Sequence, residues 1–108
     1  MDAVTVPESL ISRFLVEAQD DQIGLWEIVR EVPQQTGPGE AAMVETLAVI
    51  RELLARGLQA GDPPYSTDGY RAWADQQPDR VIERIRRDWM VLGRTPNIPD
   101  IVWFGLPT

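Results

Sequence analysis

A chain of 108 residues, 44% apolar and 25% charged, has the size and composition of one globular domain that buries a core without staples. It lacks cysteine, histidine and lysine, which excludes disulfides, thiolate–zinc sites, histidine-assisted nucleophiles and lysine Schiff bases. The net charge of −7 is uneven: residues 1–70 hold twelve carboxylates against four arginines, and residues 71–108 hold five against six. An acidic body repels phosphate backbones and favours basic protein partners.

Asp2, Glu8, Arg13, Glu17 and Asp20 interrupt the apolar residues at the N-terminus, so neither a signal peptide nor a membrane span is expected. Without cysteine, a cytoplasmic location is the expectation. The exclusive use of arginine is consistent with a GC-rich genome.

Thr5-Val6-Pro7-Glu8 fits a capping box, and Leu10, Ile11, Phe14, Leu15 and Ala18 follow at helical spacing, ending near Asp20. Asp21 then caps a second helix with Leu25, Trp26, Ile28, Val29 and Val32 on its buried face, stopped by Pro33. Gly24 weakens its first turn, by about 1 kcal/mol relative to alanine. Residues 33–39 read as a loop.

The third helix spans Glu40 to Arg56, with Met43, Leu47, Ile50 and Leu54 on one stripe and Gly57 at the left-handed C-cap position. Leu58 to Asp62 reads as extended, and Tyr70 to Trp73 as a brief strand. A fourth helix opens at Pro78, carries Ile82, Ile85, Trp89 and Leu92 inward, and closes at Gly93. Ile101 to Phe104 reads as the last strand. Leu47, Ile50 and Leu54 are expected to share a core with Trp89 and with Phe14 or Leu15.

The chemistry left to such a chain is that of carboxylates. Asp62, Asp68 and Asp75, with Tyr65 and Tyr70, form the one suggestive cluster, yet solvated turn aspartates account for it better. Asp62 and Asp68-Gly69 lack the ligand spacing of a calcium loop, and no glycine-rich phosphate loop is present. No cofactor or metal is expected.

Arg80, Arg84 and Arg87 lie at i, i+4 and i+7 of the fourth helix, an arginine comb suited to phosphates or acidic side chains. Pairing of Glu83 with Arg87 and of Arg84 with Asp88 is the competing reading, leaving Arg80 and Arg86 in water. Trp26, Trp89 and Trp103 read as core. Trp73, close to Asp75-Gln76-Gln77, is the tryptophan to consider as an exposed binding residue.

The order of helices, the stretch from Thr46 to Leu58 (TLAVIRELLARGL), and Gly24 to Val29 (GLWEIV) resemble a winged-helix domain of small bacterial proteins. The resemblance covers roughly residues 21–62, with residues 101–104 as a late strand. It implies a mainly helical α+β fold over residues 1–108: a winged-helix-like core of three helices, a small antiparallel sheet and one additional helix, Pro78 to Gly93. It also implies DNA binding by the third helix. The first half of that helix, however, holds Glu40 and Glu45 and no arginine.

The function expected is therefore non-enzymatic protein binding, as in an immunity or antitoxin-type protein that masks a basic partner. Glu40, Glu45, Glu52, Tyr65 and Trp73 are the candidate contacts. The alternative is a DNA-binding regulator that uses Arg80, Arg84 and Arg87. An enzyme working through loop aspartates comes last.

Overall fold

The computed structural model describes residues 8–31, 40–63, 70–94, 96–97 and 100–106. Helix α1 is Glu8–Asp20, strand β1 Ile23–Gly24, helix α2 Leu25–Glu31 and helix α3 Glu40–Ala55. Strands β2, Gln59–Asp62, and β3, Arg71–Ala72, follow, then helix α4, Pro78–Leu92, and strand β4, Trp103–Gly105. The fold is mainly helical α+β, with a four-stranded antiparallel sheet in the order β1-β4-β2-β3.

The two longest helices follow their sequence signals. In α3 the apolar residues Leu47, Val49, Ile50, Leu53 and Leu54 are all buried. Gly57 ends the run at φ 106°, with its N–H on Leu54 O at 3.1 Å and the Leu58 N–H on Leu53 O at 3.2 Å. This paired cap needs the left-handed residue that glycine supplies without steric cost. In α4 the Gln77 side chain accepts from the Arg80 N–H, Pro78 starts the first turn, and the Gly93 N–H closes on Trp89 O. Val81, Ile85 and Trp89 face inward.

Three local expectations are corrected. Asp21 does not cap a helix; its carboxylate accepts the Gln22 N–H, and Ile23–Gly24 forms a strand paired with Phe104 and Trp103. Gly24 therefore belongs to this strand, where a Cβ would stand 2.6 Å from the Trp26 ring and 2.8 Å from that of Trp103. The last strand begins at Trp103 and not at Ile101, because Ile101 has φ 62° and the Val102 N–H turns back to Asp100 O at 2.8 Å. Positive φ at a β-branched residue is strained, and an extended run cannot pass through it. Lastly, Glu8 opens α1, but its carboxylate binds Arg56 at 2.6 and 2.7 Å. Thr5 to Pro7, and Val32 with residues 33–39, lie outside the described residues.

Phe14, Leu47, Ile50, Leu54 and Trp89 belong to one buried cluster, as the periodicity required, with Leu15 packed at its edge. Central β4 adds Phe104, paired on both sides with Ile23 and Ala60, and all three are buried. Burial on this scale, at about 25 cal/mol per Å² of apolar surface, is what sets the helices around α3.

Candidate functional site

The fourth helix and the segment entering it shape an open groove of about 400 Å³, lined by Trp73, Asp75, Asp79, Arg80, Glu83, Arg84 and Arg87 among others. Gln76 clamps the segment that leads from β3 into this helix. Its side-chain amide accepts from the Ala60 N–H at 2.9 Å and donates to Ala60 O and Trp73 O at 2.7 and 2.8 Å. One side chain thus ties β2 to the chain leaving β3.

Trp73 is only 7% exposed, which corrects the expectation of an exposed binding residue. Its indole N–H donates to Asp62 at 3.0 Å, and the Arg84 guanidinium lies 3.6 Å from the ring. Such stacking hides an aromatic face that polar sequence neighbours suggested would be open.

The arginine comb is occupied by the protein's own carboxylates. Arg80 pairs with Asp75 at 3.2 Å, Arg84 reaches Asp88 at 4.0 Å, and Arg86 holds Glu83 at 2.8 Å. Glu83 was expected to take Arg87; it takes Arg86 one residue closer, through two guanidinium nitrogens. Arg80 and Arg86 thus stay exposed to solvent but are paired, where the sequence reading left them unpaired. Arg87 is exposed and forms no ion pair among the described residues.

Each carboxylate in the groove sits below its usual range. The Gln77 N–H, then Arg80, stabilises ionised Asp75. Arg51 from α3 does the same for Asp79, and Arg86 for Glu83. A carboxyl group held ionised makes a poor general acid near neutrality. The groove therefore presents an aromatic edge among balanced charges.

The acidic row on α3 is split by its surroundings. Glu52 is bonded to Arg56 at 3.0 Å, and the same guanidinium binds Glu8, so this charge is spent in a three-residue network. Glu45 is half-buried, with no ion pair among the described residues. Seven residues separate Glu45 from Glu52, which places them two turns apart on the same side of the helix. The Glu40 side chain, Tyr65 and Asp68 lie outside the described residues, and the carboxylate–tyrosine cluster is reduced there to Asp62, Tyr70 and Asp75. Of these, Tyr70 donates to Gln59 O at 2.9 Å and Asp62 accepts from Trp73.

Neither Gln76 nor the Arg51–Asp79 bridge at 2.5 Å between α3 and α4 is signalled by local sequence. A glutamine beside a helix cap looks like any polar loop residue, and the bridge joins positions far apart in the chain. No group of three or more metal-ligating side chains occurs among the described residues, and no described helix is long and apolar enough to cross a membrane. Comparison with family models, curated proteins and solved structures finds no match for this chain.

Proposed function

We propose that this chain is a non-enzymatic protein-binding module whose partner is basic. One observation carries the reading: at least eight of the ten arginines, from Arg13 to Arg94, are already in salt bridges with the protein's own carboxylates. Phosphate binding draws its affinity from arginines and lysines that displace counterions, and here few are left to do so. Seventeen carboxylates against ten arginines leave a surplus of negative charge for a cationic surface. Glu45 of α3, unpaired among the described residues, is the first contact in this reading.

The passage of α3 through the Gly57 cap into β2, with β4 closing the sheet, supports the winged-helix resemblance. Such a scaffold is compatible with DNA or protein partners, so the site has to choose between them. An immunity or antitoxin-type role is the narrower version, motivated by size and acidity. The DNA-binding alternative would have to free Arg80 and Arg84 from Asp75 and Trp73. An enzyme remains the least favoured, since the groove carboxylates are stabilised as anions.

The test is fluorescence anisotropy with two labelled probes, an arginine-rich peptide and a duplex DNA of random sequence. The peptide should bind at low ionic strength, and both added salt and Glu45→Arg should weaken that binding. The duplex should bind no tighter than the nonspecific range of about 10⁻⁴–10⁻⁶ M at physiological salt. Peptide binding indifferent to salt and to the reversal, or a tight sequence-specific duplex complex, would overturn the reading.

A further inference from the structure

A single exposed valine is ordinary on a protein surface. Two such valines here have a less ordinary neighbourhood. Val91 on α4 is 83% exposed, and one turn before it stands exposed Arg87, which has no ion pair among the described residues. Val16 on α1 is 61% exposed, and one turn after it stands exposed Asp20, likewise without an ion pair there. Residues four apart share a helix face. One helix therefore presents cation then valine, and the other presents valine then anion, at the same spacing.

We propose that these two faces bind each other between two copies of the chain. Helix α4 of one copy lies antiparallel on α1 of the next, so that Val91 packs on Val16 while Arg87 meets Asp20. Met90, 60% exposed beside Val91, widens the apolar strip.

Charge complementarity selects a second copy as the occupant. Residues 8–31, which include α1, carry six carboxylates against two arginines, and α4 carries four arginines against three carboxylates. Both halves of the complement stand on one chain, with opposite sign, equal spacing and reversed order. Because the faces differ, the contacts either close in a ring or dimer or propagate from copy to copy. A contact built on one charge pair and two to three apolar side chains is weak and salt-sensitive. It is separate from recognition of a basic protein at Glu45.

Sedimentation velocity over a concentration series reaching millimolar protein, at low and at high salt, tests the proposal. Four chains are compared: the unmodified protein, Asp20→Arg, Arg87→Glu, and the double charge swap, each checked for folding by circular dichroism. The average mass of the unmodified protein should rise with concentration at low salt. Each single reversal should hold the chain monomeric, and the swap should restore association. A monomer at every concentration, single variants that associate like the unmodified chain, or a swap that restores nothing would each overturn it.

Discussion

The Arg84 guanidinium lies 3.6 Å from the ring of Trp73, so a cation of α4 roofs the aromatic residue that follows β3. Below the roof the indole N–H is held by Asp62, and the Trp73 N–H pairs with Ala60 O at 2.9 Å. Trp73 thus couples the sheet edge to the helix. Trp73→Ala is expected to cost about 3–5 kcal/mol in denaturant unfolding, the usual range for truncating a buried aromatic residue. Arg84→Ala should cost far less, about 0.5–1 kcal/mol, because it removes the stacking and only a long, half-exposed ion pair with Asp88. A similar loss for both would mean that the cation and not the burial anchors this corner.

The core of α3 invites the second measurement. Leu54 is 9% exposed within the cluster that holds Ile50 and Trp89. Leu54→Ala should cost about 2–5 kcal/mol, and a loss under about 1 kcal/mol would contradict this packing.

The same helix shows why some of the fold was legible and some was not. Helices α3 and α4 announce themselves through local signals, apolar residues three and four apart and glycines at the caps. Strand β1 has no such signal, because two residues establish no period and its partner Phe104 lies at the other end of the chain. The Glu52–Arg56 pair could be foreseen at i+4, whereas the binding of Glu8 to Arg56 spans 48 residues. For the site, the charges on α4 were legible but their partners were not. Pairing depends on where Asp75 and Trp73 end up, and this is decided by tertiary contacts such as the Gln76 clamp.

Thr46 supplies a prediction with the opposite sign. It is fully buried on α3, and its hydroxyl has no hydrogen-bond partner among the described residues. An unsatisfied buried polar group costs about 1–3 kcal/mol. Thr46→Val keeps the shape and removes the hydroxyl, so it should raise the unfolding free energy by about 1 kcal/mol. Thr46→Ala should not give that gain, since it opens a void as well. Thermal unfolding of the two variants side by side decides the matter, and a destabilised valine variant would show that the hydroxyl is satisfied in solution.

Gln76 offers a test of chemistry at constant size. Its amide both accepts from and donates to Ala60, and it donates to Trp73 O as well. Gln76→Glu keeps the acceptor but turns a carboxylate oxygen toward two carbonyls, with a loss of about 1–3 kcal/mol at neutral pH. Protonation restores a donor. The folded-state pKa of that glutamic acid should therefore be raised, and the variant should recover stability relative to the unmodified protein as pH falls. Equal losses at pH 7 and pH 5 would sink this account.

The carboxyl of Glu27 on α2 is raised above its ordinary range, first by burial and then by the neighbouring carboxylate of Glu17. Arg30 and the Gly24 backbone oppose the shift without cancelling it. A raised acid binds its proton more tightly in the folded state than in the unfolded one. Its ionisation therefore lowers stability as pH rises from the unfolded pKa, about 4.3 for glutamate, through the folded value. At neutral pH the cost is fully present, and acidification relieves it. Glu27→Gln removes the charge, so it should stabilise the protein at pH 7 by up to about 1 kcal/mol after allowance for solvent screening. The advantage should shrink toward pH 4. Glu8, Asp75, Asp79, Glu83 and Asp100 work in the other direction, because hydrogen bonds from arginines or backbone N–H groups hold their carboxyls down. Their stabilisation is present above the unfolded carboxylate range and is lost as pH falls through the depressed values. Urea unfolding of both chains between pH 3 and pH 7 separates the two effects. The unmodified chain and the Glu27→Gln variant should converge near pH 4 and then lose stability together. A difference that stays constant across this range would mean that Glu27 acts through packing and not through its charge.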